Sequence, residues 1–527
     1  MTPQSSTGIA GNSQTIARNS FWYGLELLYG LLAAFLVGIV VARIIGPQRL
    51  GPYNYILWLT NVTATAGAFG LPMTTRKYMA EYLNRAESGV ARSIYRTTLR
   101  VQMWIAAAVT AIAVLLVYTV ANPEQRLFSL LLALNMAPRM VGFIPSQANN
   151  AAEVMRRNTV PSLLGGILVA ALTLFSLWRG WDLPGIALAG LAGTSLETVL
   201  KLYSVKTWLP DTVPRRIPSG LAKQMFLYSW QGLILMLLNI VVWDRSDVIF
   251  LKALNSDIRQ ITFFTMAFNW TERVLLLPSA FVNSMGATLM AQYGRGAERL
   301  RPLTVEGTRY VLLIALPLLA GLACVTGRVV PLILGEPYRL MIPVLTIVTV
   351  MAIPKALIAP PMLLLQTTEN QGFLVIWLAI CGAIDMSLDL LLVPRYGAVG
   401  AALANGTAQT IAALGVWLRA HQLFRLDLRL STFARIALCG LGMSATTVII
   451  RRAIPSYLGL AVSIVSGALV WFALLRWTGA LDQRDGQRFL DIGRALPSGV
   501  RPLWEMVVGL LLPGGVRSAN ARTLQRD

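Results

Sequence analysis

Fourteen times along this chain about twenty residues pass with few charges, the length an α-helix needs to cross the hydrocarbon core of a bilayer. The runs are 21–45, 52–72, 99–121, 127–150, 160–178, 183–205, 224–251, 260–286, 309–332, 340–366, 371–393, 396–418, 433–451 and 456–478. A bilayer offers no hydrogen bonds, so each run must satisfy its own backbone, and a helix does this within one segment. The expectation is an all-α polytopic membrane protein with about fourteen transmembrane helices. Only 13% of the 527 residues are charged, about half the roughly 25% of soluble proteins. The polar stretch Met1–Ser20 leads into an apolar run too long for a signal-peptide core, so that run reads as the first span.

A net charge of +21 raises the question of nucleic acid. The cations sit in short loops between apolar runs, so no nucleic-acid partner is expected. Their distribution sets the topology instead. With the N-terminus inside, 29 of the 45 Lys and Arg fall in inside segments and 11 in outside loops or run ends. The excess of basic residues in cytoplasmic loops then places both termini in the cytoplasm, with an even number of spans.

One unit is written twice. Ala137-Pro138-Arg139 and Ile353-Pro354-Lys355 each break an apolar run, and Glu153 and Glu369 each follow fifteen residues after the proline. Small-residue stretches come later, at Gly185–Ala192 and Gly397–Ala404. Residues 207–223, with Pro210, Pro214 and Pro218 beside Arg215 and Arg216, read as an inside linker. The expected organisation is a cytoplasmic N-terminus (1–20), a six-helix lobe (21–206), the linker (207–223) and a second six-helix lobe (224–423). Helices 13 and 14 (424–480) and a cytoplasmic tail with an amphipathic segment (481–527) complete it. Six spans per lobe keep both in one orientation, as parallel repeats.

A charge inside a membrane costs roughly 2.5–3.5 kcal/mol on insertion scales, which makes it a candidate functional group. Arg139 and Lys355, in matching places, are candidate substrate-binding cations, with Arg245 and Arg273. Asp385 and Asp389 lie four apart with the same sign, so they repel and favour a shared proton or cation. Glu26, Asp244, Asp247 and Glu272 are further ion-coupling or cavity acids. Glu197 and Lys201, four apart on one helix, form a structural pair.

Soluble-enzyme chemistry finds little footing. Cys324, Cys381 and Cys439 lie in apolar runs, and His421 is the sole histidine, so neither a disulfide framework nor metal-ligand spacing is present. No phosphate-cradling loop and no nucleophile elbow occur. The expectation is a non-enzyme with no cofactor and no metal centre, coupled to H⁺ or Na⁺.

Several stretches resemble the bacterial oligosaccharide flippases. They are Ala17-Arg-Asn-Ser-Phe-Trp22, Val41-Ala-Arg-Ile-Ile-Gly-Pro-Gln-Arg-Leu-Gly-Pro-Tyr53 and Gly70-Leu-Pro72 with Arg76. Asp244-Arg-Ser-Asp-Val-Ile-Phe-Leu251, Phe263–Phe268, Leu277-Pro278 and Val393–Ala402 follow. These flippases form the polysaccharide-transporter branch of the MOP superfamily, which also holds the multidrug and toxin extrusion (MATE) exporters and the lipid II flippases. The likeness covers roughly residues 15–420. It implies a V-shaped pair of six-helix bundles with two extra C-terminal helices. The cargo it implies is an undecaprenyl-pyrophosphate-linked oligosaccharide, an O-antigen, capsule or exopolysaccharide unit, flipped to the outer leaflet by alternating access. Implied partners are that lipid-linked sugar, membrane lipids, a polysaccharide polymerase and glycosyltransferases. Arg139 and Lys355 would meet the pyrophosphate. An ion-coupled drug or cation antiporter of the MATE type is the alternative. A membrane-embedded glycosyltransferase or ligase is a third reading, disfavoured because no outside loop is long enough for a catalytic domain.

Overall fold

The computed structural model describes residues 7–209, 215, 217, 218, 220–243, 246–293, 300–368, 370–427, 430–481 and 485. Among these there is no strand. The helices are α1 (Thr7–Ile45), α2 (Pro47–Gly67), α3 (Leu71–Asn84), α4 (Ser88–Val120), α5 (Pro123–Leu134), α6 (Met136–Ala151), α7 (Arg156–Trp178), α8 (Asp182–Trp208) and α9 (Leu221–Trp243). They continue with α10 (Asp247–Leu254), α11 (Arg259–Tyr293), α12 (Leu300–Leu334), α13 (Met341–Thr367), α14 (Gln371–Tyr396), α15 (Ala398–Phe424), α16 (Leu430–Ala453) and α17 (Tyr457–Trp477).

Every apolar run of the sequence coincides with one helix or with a broken one. Eleven of these segments are long and apolar enough to cross a membrane on that ground alone, which makes the chain a multi-pass membrane protein. The runs in α2, α9 and α11 are outside that eleven; α2, for example, carries Asn54, Thr60, Asn61, Thr63 and Thr65. The basic segment after Pro72 is itself helical. In α3 the face Thr74, Thr75, Tyr78, Met79 and Tyr82 is buried, and its cations lie opposite.

The chain divides into two compact units. Unit 1 holds 1–265, 333–337 and 389–398; unit 2 holds 266–332, 338–388 and 399–527. In unit 1 a core of Tyr78, Met79, Ile94, Tyr95, Ile144, Val205 and Met225 joins α3, α4, α6, α8 and α9. Two motif glycines are required by geometry. Gly70 adopts φ 68° and a Cβ there would lie 2.1 Å from the Ser229 carbonyl oxygen. Gly397 adopts φ 55°, and a Cβ would meet Gln260 Oε1 at 2.9 Å and Asn255 Nδ2 at 3.0 Å. Both positions demand a residue without a side chain.

Prolines free helix carbonyls, and side chains collect them. Pro161 has no N–H for the Arg157 carbonyl, which accepts from Asn149 Nδ2 at 3.4 Å. Asn149, fully buried, also donates to Asn158 Oδ1 (2.9 Å) and accepts from Trp208 Nε1 (2.8 Å). Arg157 donates to the Ser204 carbonyl (2.7 Å) and Thr207 Oγ1 (2.5 Å), capping the last turn of α8. At the same end the linker is pinned. The Arg215 amide donates to the Gly89 carbonyl (3.3 Å), and its carbonyl accepts from Ser93 Oγ (2.6 Å).

Unit 2 uses the same device. Pro361 leaves the Leu357 carbonyl without its helical donor, and Trp417 Nε1 on α15 donates to it at 3.1 Å. Val311, Ala315 and Leu319 of α12 pack with Leu275 and Val282 of α11 and Ala352 and Ala356 of α13. The hairpin α16–α17 lies along α12 through Leu312, Ile436, Cys439, Met443, Trp471 and Leu475. Its ends are tied down. Arg451 donates to the Cys324 carbonyl at 2.6 Å and Arg328 to the carbonyls of Ile454 and Ser456. At the opposite end of α12, Arg309 is ion-paired to Asp485 and also donates to the Ala480 carbonyl (2.9 Å), while Tyr310 Oη donates to Asp485 Oδ1 at 2.5 Å. The Asp485 side chain is 2% exposed. The expected amphipathic segment Arg484–Leu496 otherwise lies outside the described residues.

Candidate functional sites

The two proline–cation motifs sit in different local structures. Span 4 is broken: α5 ends at Leu134, α6 begins at Met136, and Pro138 lies in the first turn of α6, where a missing N–H costs no helical bond. The Pro138 carbonyl accepts from Thr198 Oγ1 on α8 at 2.8 Å. Arg139 follows, partly buried, and its Nε has no hydrogen-bond partner. Glu197 is the carboxylate that attracts it. Yet Glu197 is already engaged, by Lys201 Nζ at 2.6 Å and by Ser162 Oγ at 3.0 Å. Lys201 is buried, so this intrahelical pair sits in the packed wall between α7 and α8.

Pro354 instead lies within the continuous helix α13. Lys355 Nζ is 2.6 Å from Glu272 Oε1 on α11 and 4.8 Å from the Phe268 ring centroid. The side chains are 16% and 43% exposed. Glu272 and Lys355 border a cavity of about 10 Å³ together with Thr271, Asn405 and Gln409, room for about one water molecule. Within unit 2 the lysine is therefore held by an acid rather than presented to a large pocket. Arg273, half-buried, lies next to Glu272 on α11. Glu26, on α1, accepts from Thr159 Oγ1 at 3.1 Å, which joins α1 to α7.

The acids of α14 are deeply buried: Asp385 is 1% exposed and Asp389 0%. They share one face, one turn apart. Asp247, at the first turn of α10 and also 0% exposed, brings a carboxylate oxygen within 4.8 Å of Asp389. Like charges this close in a low-dielectric interior repel, and a neighbouring positive group, a bound cation or a proton offsets that repulsion. Asn405 of α15 acts on Asp385, and Gln409 Nε2 donates to Asn405 Oδ1 at 2.8 Å. All donors here are hard oxygens and amides, which suits an alkali cation or a proton better than a soft metal.

Asp244, Arg245 and Glu369 lie outside the described residues. The structure adds groups that the sequence reading passed over. Asn405 and Gln409 stand four apart in an apolar run, a spacing that puts two polar groups on one face. Asn149 and Asn158 were visible only as loop-like polar residues near the end of a span. Asp247 was noted, but nothing in its own run pointed to α14.

Comparison with known proteins follows this geometry. The family described as polysaccharide biosynthesis protein matches residues 16–292, just over half of the chain. No curated protein matches the chain. Among solved structures, a lipid II flippase, MurJ, in an inward closed conformation aligns with a TM-score of 0.68 at 14% identity, over 87% of this chain and 98% of that one. An inward-facing multidrug resistance MATE family transporter of the MOP superfamily aligns with a TM-score of 0.64 at 16% identity, over 76% and 94%. A MOP superfamily transporter from Pyrococcus furiosus aligns at 0.59 with 16% identity, over 78% and 95%. At such identities the likeness is one of fold, which is the MOP-type transporter fold.

Proposed function

The chain belongs to the polysaccharide biosynthesis protein family, and on that premise we propose that it flips a lipid-linked oligosaccharide across the bacterial cytoplasmic membrane. The observation that carries this reading is the pairing of a polysaccharide-family signature with a fold shared with a lipid II flippase. The cargo is an undecaprenyl-pyrophosphate-linked repeat unit of O-antigen, capsule or exopolysaccharide, moved to the outer leaflet by alternating access of the two six-helix lobes. Both termini are cytoplasmic, as the loop charges favour. The chain performs no covalent chemistry, and it works beside a polymerase and glycosyltransferases.

Arg139 is the cation placed to meet a pyrophosphate. It lies in an apolar span, and the acid nearest in effect is already paired. A charge-assisted bond to phosphate is stronger than one between neutral groups. Lys355 contributes through exchange: the headgroup competes with Glu272 for it. Asp385 and Asp389, one turn apart on α14, bind H⁺ or Na⁺ and bias one state over the other.

A deletion strain tests the assignment. Loss of a flippase accumulates complete lipid-linked units on the inner side, and loss of a ligase accumulates them outside. Loss of a MATE-type exporter accumulates none, and that result would overturn the proposal. For the ion site, Asp385→Asn/Asp389→Asn should remove the response of transport to collapsed proton or sodium gradients while leaving cargo binding. An unchanged response would return these acids to a structural role.

A further inference from the structure

Unit 1 contains a groove that no part of the transport reading uses. It has a volume of about 670 Å³ and runs between α2, α4 and α5, with one residue each from α6 and α10, within the 300–1,000 Å³ common for ligand sites. Its walls are apolar: Ile56, Leu59, Ile112, Leu116 and Met136 are typical. The hydroxyls of Thr60, Thr63 and Ser129 on these walls donate to carbonyls of their own helices, and the nitrogen-bearing side chains gather at one end. Asn122 and Gln125 lie where α4 gives way to α5, and Lys252 lies two residues before the end of α10. Among the described residues no carboxylate lines it.

The depth is measured by the helices. From Val120 back to Val109, and from Pro123 on to Met136, at 1.5 Å per residue the groove reaches about 16–20 Å inward from that end. This is over half of a hydrocarbon core roughly 30 Å thick. Leu59, Ile112 and Leu116 are exposed there, so the wall meets hydrocarbon. A groove with an apolar body aligned with the membrane normal, and a cation with two amides at its outer rim, has the polarity of one leaflet's lipid.

The rim chemistry selects the headgroup. Lys252 supplies one positive charge, and the amides of Asn122 and Gln125 supply donors. A monoanionic phosphodiester is matched by that set. A pyrophosphate carries more charge and calls for more than one cation. We propose that this groove binds an anionic glycerophospholipid from the leaflet on the α4–α5 side, one chain along α2, α4 and α5 and the phosphodiester against Lys252. The site is separate from the cargo cations and stands or falls independently of the proposed function.

Native mass spectrometry of the purified protein, offered equal phosphatidylglycerol and phosphatidylcholine, tests this. The wild type should retain phosphatidylglycerol over phosphatidylcholine by about five-fold, the worth of one basic residue near an anionic surface. Lys252→Gln should abolish the preference and Lys252→Arg restore it. Leu116→Trp, from an exposed wall position, should fill the groove and remove retention of both lipids. Circular dichroism and thermal melting check folding, and the Lys252 pair decides the headgroup question even if Leu116→Trp is poorly folded. Equal retention of the two lipids by the wild type would overturn the proposal, as would retention unaffected by Lys252→Gln. So would displacement of phosphatidylglycerol by stoichiometric undecaprenyl pyrophosphate, which would make the carrier the occupant.

Discussion

Arg139 and Lys355 each follow a proline in an apolar span, but their surroundings differ. Around Arg139 the helix is broken into α5 and α6, and the acid that attracts it is bound by Lys201 and Ser162. Around Lys355 the helix is continuous, and Glu272 holds the ammonium at 2.6 Å. The first copy keeps a cation in reserve, while the second balances its cation with an acid. A repeat in sequence is therefore not a repeat in electrostatics, because the partner residue lies on another helix and drifts independently.

The largest expected difference is in transport. Arg139→Ala should lower flipping about 10–100-fold, the worth of one charge-assisted phosphate contact, with no loss of stability. A transport assay in proteoliposomes beside thermal melting reads both. Full activity would break the contrast by showing that Arg139 is a passenger.

Next comes Lys355→Ala, which should reduce transport and also destabilise. It leaves Glu272 without its cation, at a cost of about 1–2 kcal/mol, below the 3–5 kcal/mol of a fully buried pair because water reaches Glu272. Lys355→Ala/Glu272→Ala should recover the stability and not the transport, and Lys355→Arg should be milder than either. Recovery of both activities in the double variant would make the pair purely structural.

A smaller effect concerns the prolines. Trp417→Phe removes the donor to the Leu357 carbonyl in α13 and should cost about 1 kcal/mol, read as a lower melting temperature. A variant as stable as the wild type would show that α13 tolerates its free carbonyl.

The smallest effect uses an ion pair outside the spans as a reference. In the turn before α11, Arg259 donates to Asp257 at 2.9 Å and holds that carboxyl below its ordinary value of 3.8. The stabilisation is full well above that value and is lost as pH falls from it through the lower folded-state value. Melting temperatures of wild type and Asp257→Asn should differ slightly at neutral pH and converge only once the pH is below the folded-state value, under 3.8. A gap that persists at low pH would assign the turn to its backbone bonds.

The helices were readable because apolar length and loop charge are properties of contiguous residues. So was the fold family, since Gly70 and Gly397 are imposed by local backbone angles and close approach. The break in span 4 was less legible: proline marks a strained turn but does not say whether the helix ends. Partners across helices were not legible at all. Nothing local ties Lys355 to Glu272, eighty-three residues away, or Asp247 to Asp389. Asp385 and Asp389 were found because helical spacing put both on one face.

The contact of Arg309 with Asp485 has a consequence for the order of synthesis. The two residues are 176 positions apart. At about 5–20 residues per second, a ribosome needs roughly ten to thirty-five seconds to make the acid after the arginine. Throughout that interval α12 has an arginine whose final position admits little water, and no partner to neutralise it. Only when residue 485 emerges does the base find its counter-charge, close beside the hairpin α16–α17. The Asp485 carboxylate thus reports completion of every span before it, and a chain that stops short leaves Arg309 without its counter-charge.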